Sequence, residues 1–95
     1  MEFNIVGSEK RYAEVATALG CAKQATDQLT ALAGVEKIKQ LNAACGIPAT
    51  LKEVGVEFSS LEQMAKDAMK IQRLLKNNPR EVTEALALEI FKKAF

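Results

Sequence analysis

The fold is decided by a stretch in the middle of the chain that reads Gly46-Ile47-Pro48-Ala49-Thr50-Leu51-Lys52-Glu53-Val54-Gly55-Val56. A glycine followed by an apolar residue and a proline is typical of a helix end, because glycine adopts the left-handed conformation and proline cannot continue the helix. Thr50 and Glu53 have the spacing of a capping box, which predicts one short helical turn that Gly55 can end. We therefore expect a corner between two helical layers, without a nucleophile, a base or a set of metal ligands.

Before this corner, the sequence predicts a lead-in and a first helix. Residues 1–7 are apolar at three positions and end at a glycine, so we expect an extended or frayed segment. Ser8 is a candidate N-cap with Glu9 favourably placed in the first turn, and Gly20 ends the helix. One apolar stripe repeats at helical spacing and consists of Tyr12, Val15, Ala16 and Leu19.

A second, longer helix is predicted to begin at Thr26 or Asp27 and to run to the corner. Residues 21–26 are interpreted either as a linker or as an early start of this helix. Gly34 costs about 1 kcal/mol relative to alanine in a helix interior, and we expect such a glycine where another helix packs closely. The apolar face consists of Ala31, Val35, Ile38, Leu41 and Cys45.

After the corner, Ser59 and Glu62 predict a second capping box and hence a third helix. Asn77-Asn78-Pro79 is expected to break the helix, because the residue before a proline is disfavoured in the α region. Thr83 is the predicted cap of the last helix. The third helix has a buried stripe of Leu61, Met64, Ala65 and Ala68, with Ile71 or Leu75 as further candidates, and the last helix repeats Ala87, Ile90, Phe91, Ala94 and Phe95.

These elements predict an all-α fold. It comprises four amphipathic helices plus one short helical turn, arranged as a small helical bundle that forms a single domain of residues 1–95. No alternating apolar pattern is long enough to predict a β-sheet, and no internal repeat is present.

The composition excludes several classes of function. The chain has 13 basic and 12 acidic residues and a net charge of +1, so we expect no nucleic-acid partner and no anionic membrane surface. No apolar run reaches the roughly 20 residues that span a bilayer, and no signal peptide is recognisable. Cys21 and Cys45 are interpreted as reduced, small core residues of a cytoplasmic protein, with a disulfide or a reactive thiol as the less favoured alternative.

The sequence contains no histidine, which removes histidine-based general-base catalysis, catalytic triads and histidine-containing metal sites. Two cysteines alone do not make a zinc site, and the five glycines are dispersed rather than grouped in a phosphate-binding loop. Carboxylates with neighbouring lysines, such as Asp67 between Lys66 and Lys70, are interpreted as solvated faces. We therefore predict no catalytic, cofactor-binding or metal-binding residue in this chain.

Several motifs follow one another in a characteristic order. They are Met1-Glu2-Phe3-Asn4, Arg11-Tyr12-Ala13-Glu14 with Ala18-Leu19-Gly20, the Gly46-Ile47-Pro48 corner with residues 51–56, a helix over Leu61 to Met69, and Asn78-Pro79-Arg80 before a short terminal helix. In this order and spacing they resemble the C-terminal end of iron-containing (group III) alcohol dehydrogenases. The resemblance covers nearly the whole chain.

The resemblance implies a piece of an NAD(P)-dependent dehydrogenase. In such enzymes an N-terminal α/β domain binds the nucleotide, and an aspartate and three histidines in the helical domain hold a divalent metal, usually iron. All of these ligands match positions upstream of Met1, so none is carried over to this chain. Asn78-Pro79-Arg80 matches a family motif, with a helix stop and a surface arginine as the alternative. Residues 71–76 depart from the family's small residues and aspartate near the substrate pocket, so no substrate contact is assigned.

We therefore expect a C-terminal dehydrogenase fragment that is catalytically inert alone, from a truncated reading frame or gene remnant rather than a piece cut by hand. The alternative is a stand-alone module for protein interaction or homo-oligomerisation, and a small-ligand carrier is the least favoured hypothesis. The expected partner is a second copy, in a homodimer or larger assembly, or a separate nucleotide-binding polypeptide. Candidates for the interface are apolar residues that cannot all fit inside one small core: Phe3, Ile5, Val6, Leu74, Leu75, Phe91 and Phe95.

Overall fold

A computed structural model describes all 95 residues, and every regular element in it is helical. The predicted all-α class is confirmed, and four predicted helices correspond to the four longest observed ones. A fifth, four-residue helix and two further 3-10 turns were not predicted. The helices are α1 (Glu9–Ala18), α2 (Asp27–Ala44), α3 (Leu61–Met69), α4 (Gln72–Leu75) and α5 (Glu84–Ala94), and the 3-10 turns are Glu2–Ile5, Lys52–Val54 and Phe58–Ser60.

The contacts within the chain group into two compact units, Met1–Ile47 and Pro48–Phe95. The first unit contains α1 and α2, and the second contains α3, α4 and α5. The single domain expected from the sequence stays a prediction.

In the first unit, α1 packs on α2 through small residues. Ala13 and Ala16 of α1 and Ala31 and Gly34 of α2 are buried. A Cβ atom added to Gly34 would lie 2.7 Å from the Cβ of Ala16, so only a glycine permits this approach of the two helices. The close helix packing predicted at Gly34 is confirmed.

The expected extended or frayed lead-in is wrong. Residues Glu2–Ile5 form a 3-10 turn, and Ile5 is only 3% exposed. The Met1 methyl carbon would lie 3.3 Å from a Cβ at Gly34, so the lead-in packs on α2. Burial of these apolar side chains against the helix explains why the segment is ordered.

Ser8 occupies the predicted N-cap position of α1, but its side chain makes no capping hydrogen bond. The Gly7 N–H donates instead to the Glu9 carboxylate at 3.0 Å. Hydrogen bonds from the backbone N–H of Glu9 itself and from that of Gly7 hold the pKa of Glu9 below its ordinary value. The Glu9 carboxylate, rather than the serine hydroxyl, therefore accepts the hydrogen bonds at the start of α1.

Both ends of α2 follow from local sequence. The Thr26 hydroxyl accepts a hydrogen bond from the Leu29 N–H at 3.2 Å, so residues 21–26 are a linker. At the other end, Gly46 has φ +73° and its N–H donates to the Ala43 carbonyl at 3.1 Å. The Ile47 N–H donates to the Asn42 carbonyl at 2.9 Å. These two bonds form a Schellman motif and confirm the left-handed glycine.

The second unit begins with the predicted capping box. The Glu53 N–H donates to the Thr50 hydroxyl at 3.3 Å, and the Thr50 N–H donates to the Glu53 carboxylate at 3.1 Å. Gly55, with φ +86°, ends the turn as predicted. The Leu51 N–H donates to the carbonyl of Ala94 at 2.7 Å, which attaches this turn to the end of α5.

The core of the second unit lies between α3 and α5, where Leu61, Ala65 and Ala87 are buried. The predicted Thr83 cap is confirmed, because its hydroxyl accepts from the Leu86 N–H at 3.3 Å. The rings of Phe58 and Phe95 meet edge to face with centroids 5.4 Å apart, a favoured aromatic geometry.

The capping box predicted at Ser59 and Glu62 is wrong. Residues Phe58–Ser60 already form a 3-10 turn, and Ser60, which precedes α3, has a helical backbone and no capping hydrogen bond. An N-cap residue needs a non-helical backbone to aim its side chain at the first turn, and this turn removes that geometry.

The chain also leaves the helical path earlier than predicted. α3 ends at Met69, and Ile71 adopts φ −92° and ψ 61° before α4 begins. Ile71 is exposed, so it does not belong to the buried stripe, whereas Leu75 is half-buried. The Asn77-Asn78-Pro79 stop therefore follows α4, a separate short helix.

Many large apolar side chains lie on the surface. The predicted stripe residues Val15 and Leu41 are exposed, and so is Cys45, which corrects its assignment to the core. Cys21 is half-buried, and both cysteines are free thiols. The exposed large apolar residues are Val6, Val15, Leu29, Leu32, Leu41, Ile47, Val54, Phe58, Ile71, Leu74 and Ile90.

We predict that Gly34→Ala lowers the free energy of unfolding by about 1–3 kcal/mol, because the new methyl group overpacks the contact with Ala16. Helix propensity alone predicts the opposite sign. Urea denaturation measures the change. The control adds Ala16→Gly to the Gly34→Ala chain, which removes the clashing methyl group. The double variant should therefore lose less unfolding free energy than the two single substitutions lose in sum. A more stable Gly34→Ala chain would contradict the close packing.

Candidate functional site

The loop between α4 and α5 borders an open groove of about 630 Å³ in the second unit. Short α4 supplies one wall, and the start of α5 supplies another. The residues that line the groove are Met69, Gln72, Leu75, Lys76, Asn78, Glu81, Val82, Thr83 and Glu84. Such a volume lies within the range of small-molecule pockets.

Local hydrogen bonds shape this loop. The Asn78 side-chain amide donates to the Arg80 carbonyl at 2.6 Å, and the Asn77 amide donates to the Arg73 carbonyl at 2.9 Å. The Asn78 N–H continues the turn by donating to the Leu75 carbonyl at 3.0 Å. Asn78 therefore holds the chain on both sides of Pro79, which supports the structural interpretation of Asn78-Pro79-Arg80.

A smaller apolar cavity of about 250 Å³ adjoins the groove. It shares Leu75, Asn78 and Val82 with the groove. Its other lining residues are Ala68, Leu74, Ala87, Ile90 and Phe91. The sequence analysis assigned no site here, and its only signal was the Asn78-Pro79-Arg80 motif.

The groove is lined by charged, polar and apolar side chains. Its charged residues are Lys76, Glu81 and Glu84, and the Thr83 hydroxyl accepts the capping bond of α5. No histidine or cysteine lines it.

The charged pair predicted as a solvated face is observed. The Lys70 ammonium donates to the Asp67 carboxylate at 2.8 Å, with the two side chains 74% and 55% exposed. Hydrogen bonds from Lys70 and Gln63 hold the pKa of Asp67 below its ordinary value, and the bond to Asp67 raises the pKa of Lys70. An exposed pair of this kind contributes little to stability and marks no site.

The helices described above define an all-helical module. Comparison with known proteins agrees with this fold. Residues 1–95 match the Fe-containing alcohol dehydrogenase family, C-terminal. The chain is 36% identical to long-chain-alcohol dehydrogenase 1 of Geobacillus thermodenitrificans (strain NG80-2), over 90% of this chain and 22% of that protein. It is 31% identical to 1,3-propanediol dehydrogenase of Citrobacter freundii, over 98% of this chain and 24% of that protein.

Solved structures show the same fold. A 1,3-propanediol oxidoreductase matches with a TM-score of 0.90 and 26% identity, over 98% of this chain and 24% of its own. An alcohol dehydrogenase from Oenococcus oeni matches with a TM-score of 0.88 and 28% identity, over 99% of this chain and 24% of its own. The chain belongs to the iron-containing alcohol dehydrogenase family and corresponds to its C-terminal part. It spans about a quarter of the length of the relatives that it matches.

The residues of this chain do not fit the metal that the family name implies. Iron in a protein is typically held by a histidine and carboxylate set, and the sequence has no histidine. No group of three or more cysteine, aspartate or glutamate side chains is placed to hold an ion. None of the helices is both long and apolar enough to cross a membrane.

We predict that Asn78→Asp destabilises the chain by about 1–3 kcal/mol at neutral pH, because a carboxylate would face the Arg80 carbonyl at hydrogen-bond distance without a proton. This contact raises the pKa of the new carboxyl group. The penalty is therefore complete above that raised pKa, shrinks as the pH falls through it, and is lost by about pH 4, the ordinary pKa of an aspartate. Urea denaturation across pH 3–7 measures it.

The matched control is Asn77→Asp, which makes the same chemical change at an exposed hydrogen bond. Asn77→Asp should lower the free energy of unfolding less than Asn78→Asp does, because water solvates the new carboxylate. Equal effects of the two substitutions would show that Asn78 does not hold the loop.

Proposed function

We propose that this chain acts as the C-terminal helical part of an iron-containing, NAD(P)-dependent alcohol dehydrogenase and is catalytically inert alone. One observation carries the proposal: the match to 1,3-propanediol oxidoreductase covers 98% of this chain but only 24% of the oxidoreductase. The chain contributes helices, the groove and apolar surface. Metal and nucleotide binding are assigned to the rest of the enzyme. If this chain is made by itself, a separate nucleotide-binding polypeptide would supply that remaining part.

The substrate class proposed for the complete enzyme is an alcohol. The matched relatives are named for long-chain alcohols, 1,3-propanediol and choline. Because these compounds differ in length and charge, no particular alcohol is assigned. We propose a cytoplasmic location as well, which is consistent with two free cysteines.

A second candidate function is self-assembly into a homodimer. Val6 and Leu74 are each 60% exposed, and water-exposed apolar surface favours association. Ile5 is buried, so it is removed from the interface predicted by the sequence. Of the other candidates, Phe3, Leu75, Phe91 and Phe95 are half-buried.

We predict that the isolated chain shows no turnover of 1,3-propanediol with NAD or NADP, with or without added iron. A chimera tests the module itself: residues 1–95 replace the matched region of the Citrobacter freundii enzyme. We expect the chimera to oxidise 1,3-propanediol, while the same enzyme truncated at the junction does not. Absorbance of the reduced cofactor measures both reactions.

Turnover by the purified isolated chain that survives controls for contaminating enzymes would contradict inertness. An inactive chimera would contradict the role as a dehydrogenase module.

Sedimentation equilibrium at micromolar concentration tests the second candidate. We expect the wild-type chain to sediment as a dimer and Leu74→Glu to shift it toward the monomer, because an ionised carboxylate opposes burial. The control is Lys76→Glu, which places a carboxylate at a neighbouring exposed position that is already charged. A monomeric wild-type chain with a cooperative melt would reject self-assembly.

A further inference from the structure

We draw no further inference here: the strongest candidate, the apolar cavity that α3, α4 and α5 form beside Leu75 and Phe91, belongs to the site already described, and nothing in the structure shows what occupies it.

Discussion

Close approach of helices through alanine and glycine is the interaction on which both units of this chain depend. The buried apolar residues are Ile5, Leu61 and five alanines. At the contact of Gly34 with Ala16, there is no room for a single added carbon. Small residues bring backbones together and give shape specificity, but each one removes little apolar surface from water. The helices are thus well placed and weakly stabilised by their own core.

Most of the large apolar side chains lie outside this core. Eleven of them are exposed, and they occur in both units. Scattered exposed apolar residues are ordinary on a protein surface. The exposure of Leu41 is not ordinary, because Leu41 continues a predicted core stripe that begins at buried Ala31. The sequence thus encodes more burial than this chain provides, which fits a part of the longer enzymes that it matches.

Helix ends were predictable because capping is a local interaction. Thr26, Thr83 and the Thr50–Glu53 box all make the expected hydrogen bonds, and Gly46 is left-handed. Ser59 failed because a 3-10 turn preceded α3, and that turn depends on tertiary contacts. Burial was less predictable, since an apolar stripe shows that a face is covered in the complete protein but not what covers it. Cys45 was misassigned for this reason, whereas Ile5 was misassigned because the lead-in was expected to be extended rather than to pack on α2.

The candidate site was accessible to sequence reasoning only through Asn78-Pro79-Arg80, because the groove is formed by residues from α3, α4 and α5 that are apart in sequence. The hydrogen bond from the Asn78 side chain to the Arg80 carbonyl explains the asparagine as a residue that holds the loop in place.

The comparisons indicate that the fold of this region is retained among relatives that are named for different substrates. The relatives are named for three different alcohols, yet they match this region at 31–36% identity. A structure at only 26% identity retains the fold with a TM-score of 0.90. Helix caps and small core residues can preserve such a framework while the substrate changes, because they act through local hydrogen bonds and helix packing. The same reasoning explains how a chain without histidine can belong to a family named for its iron.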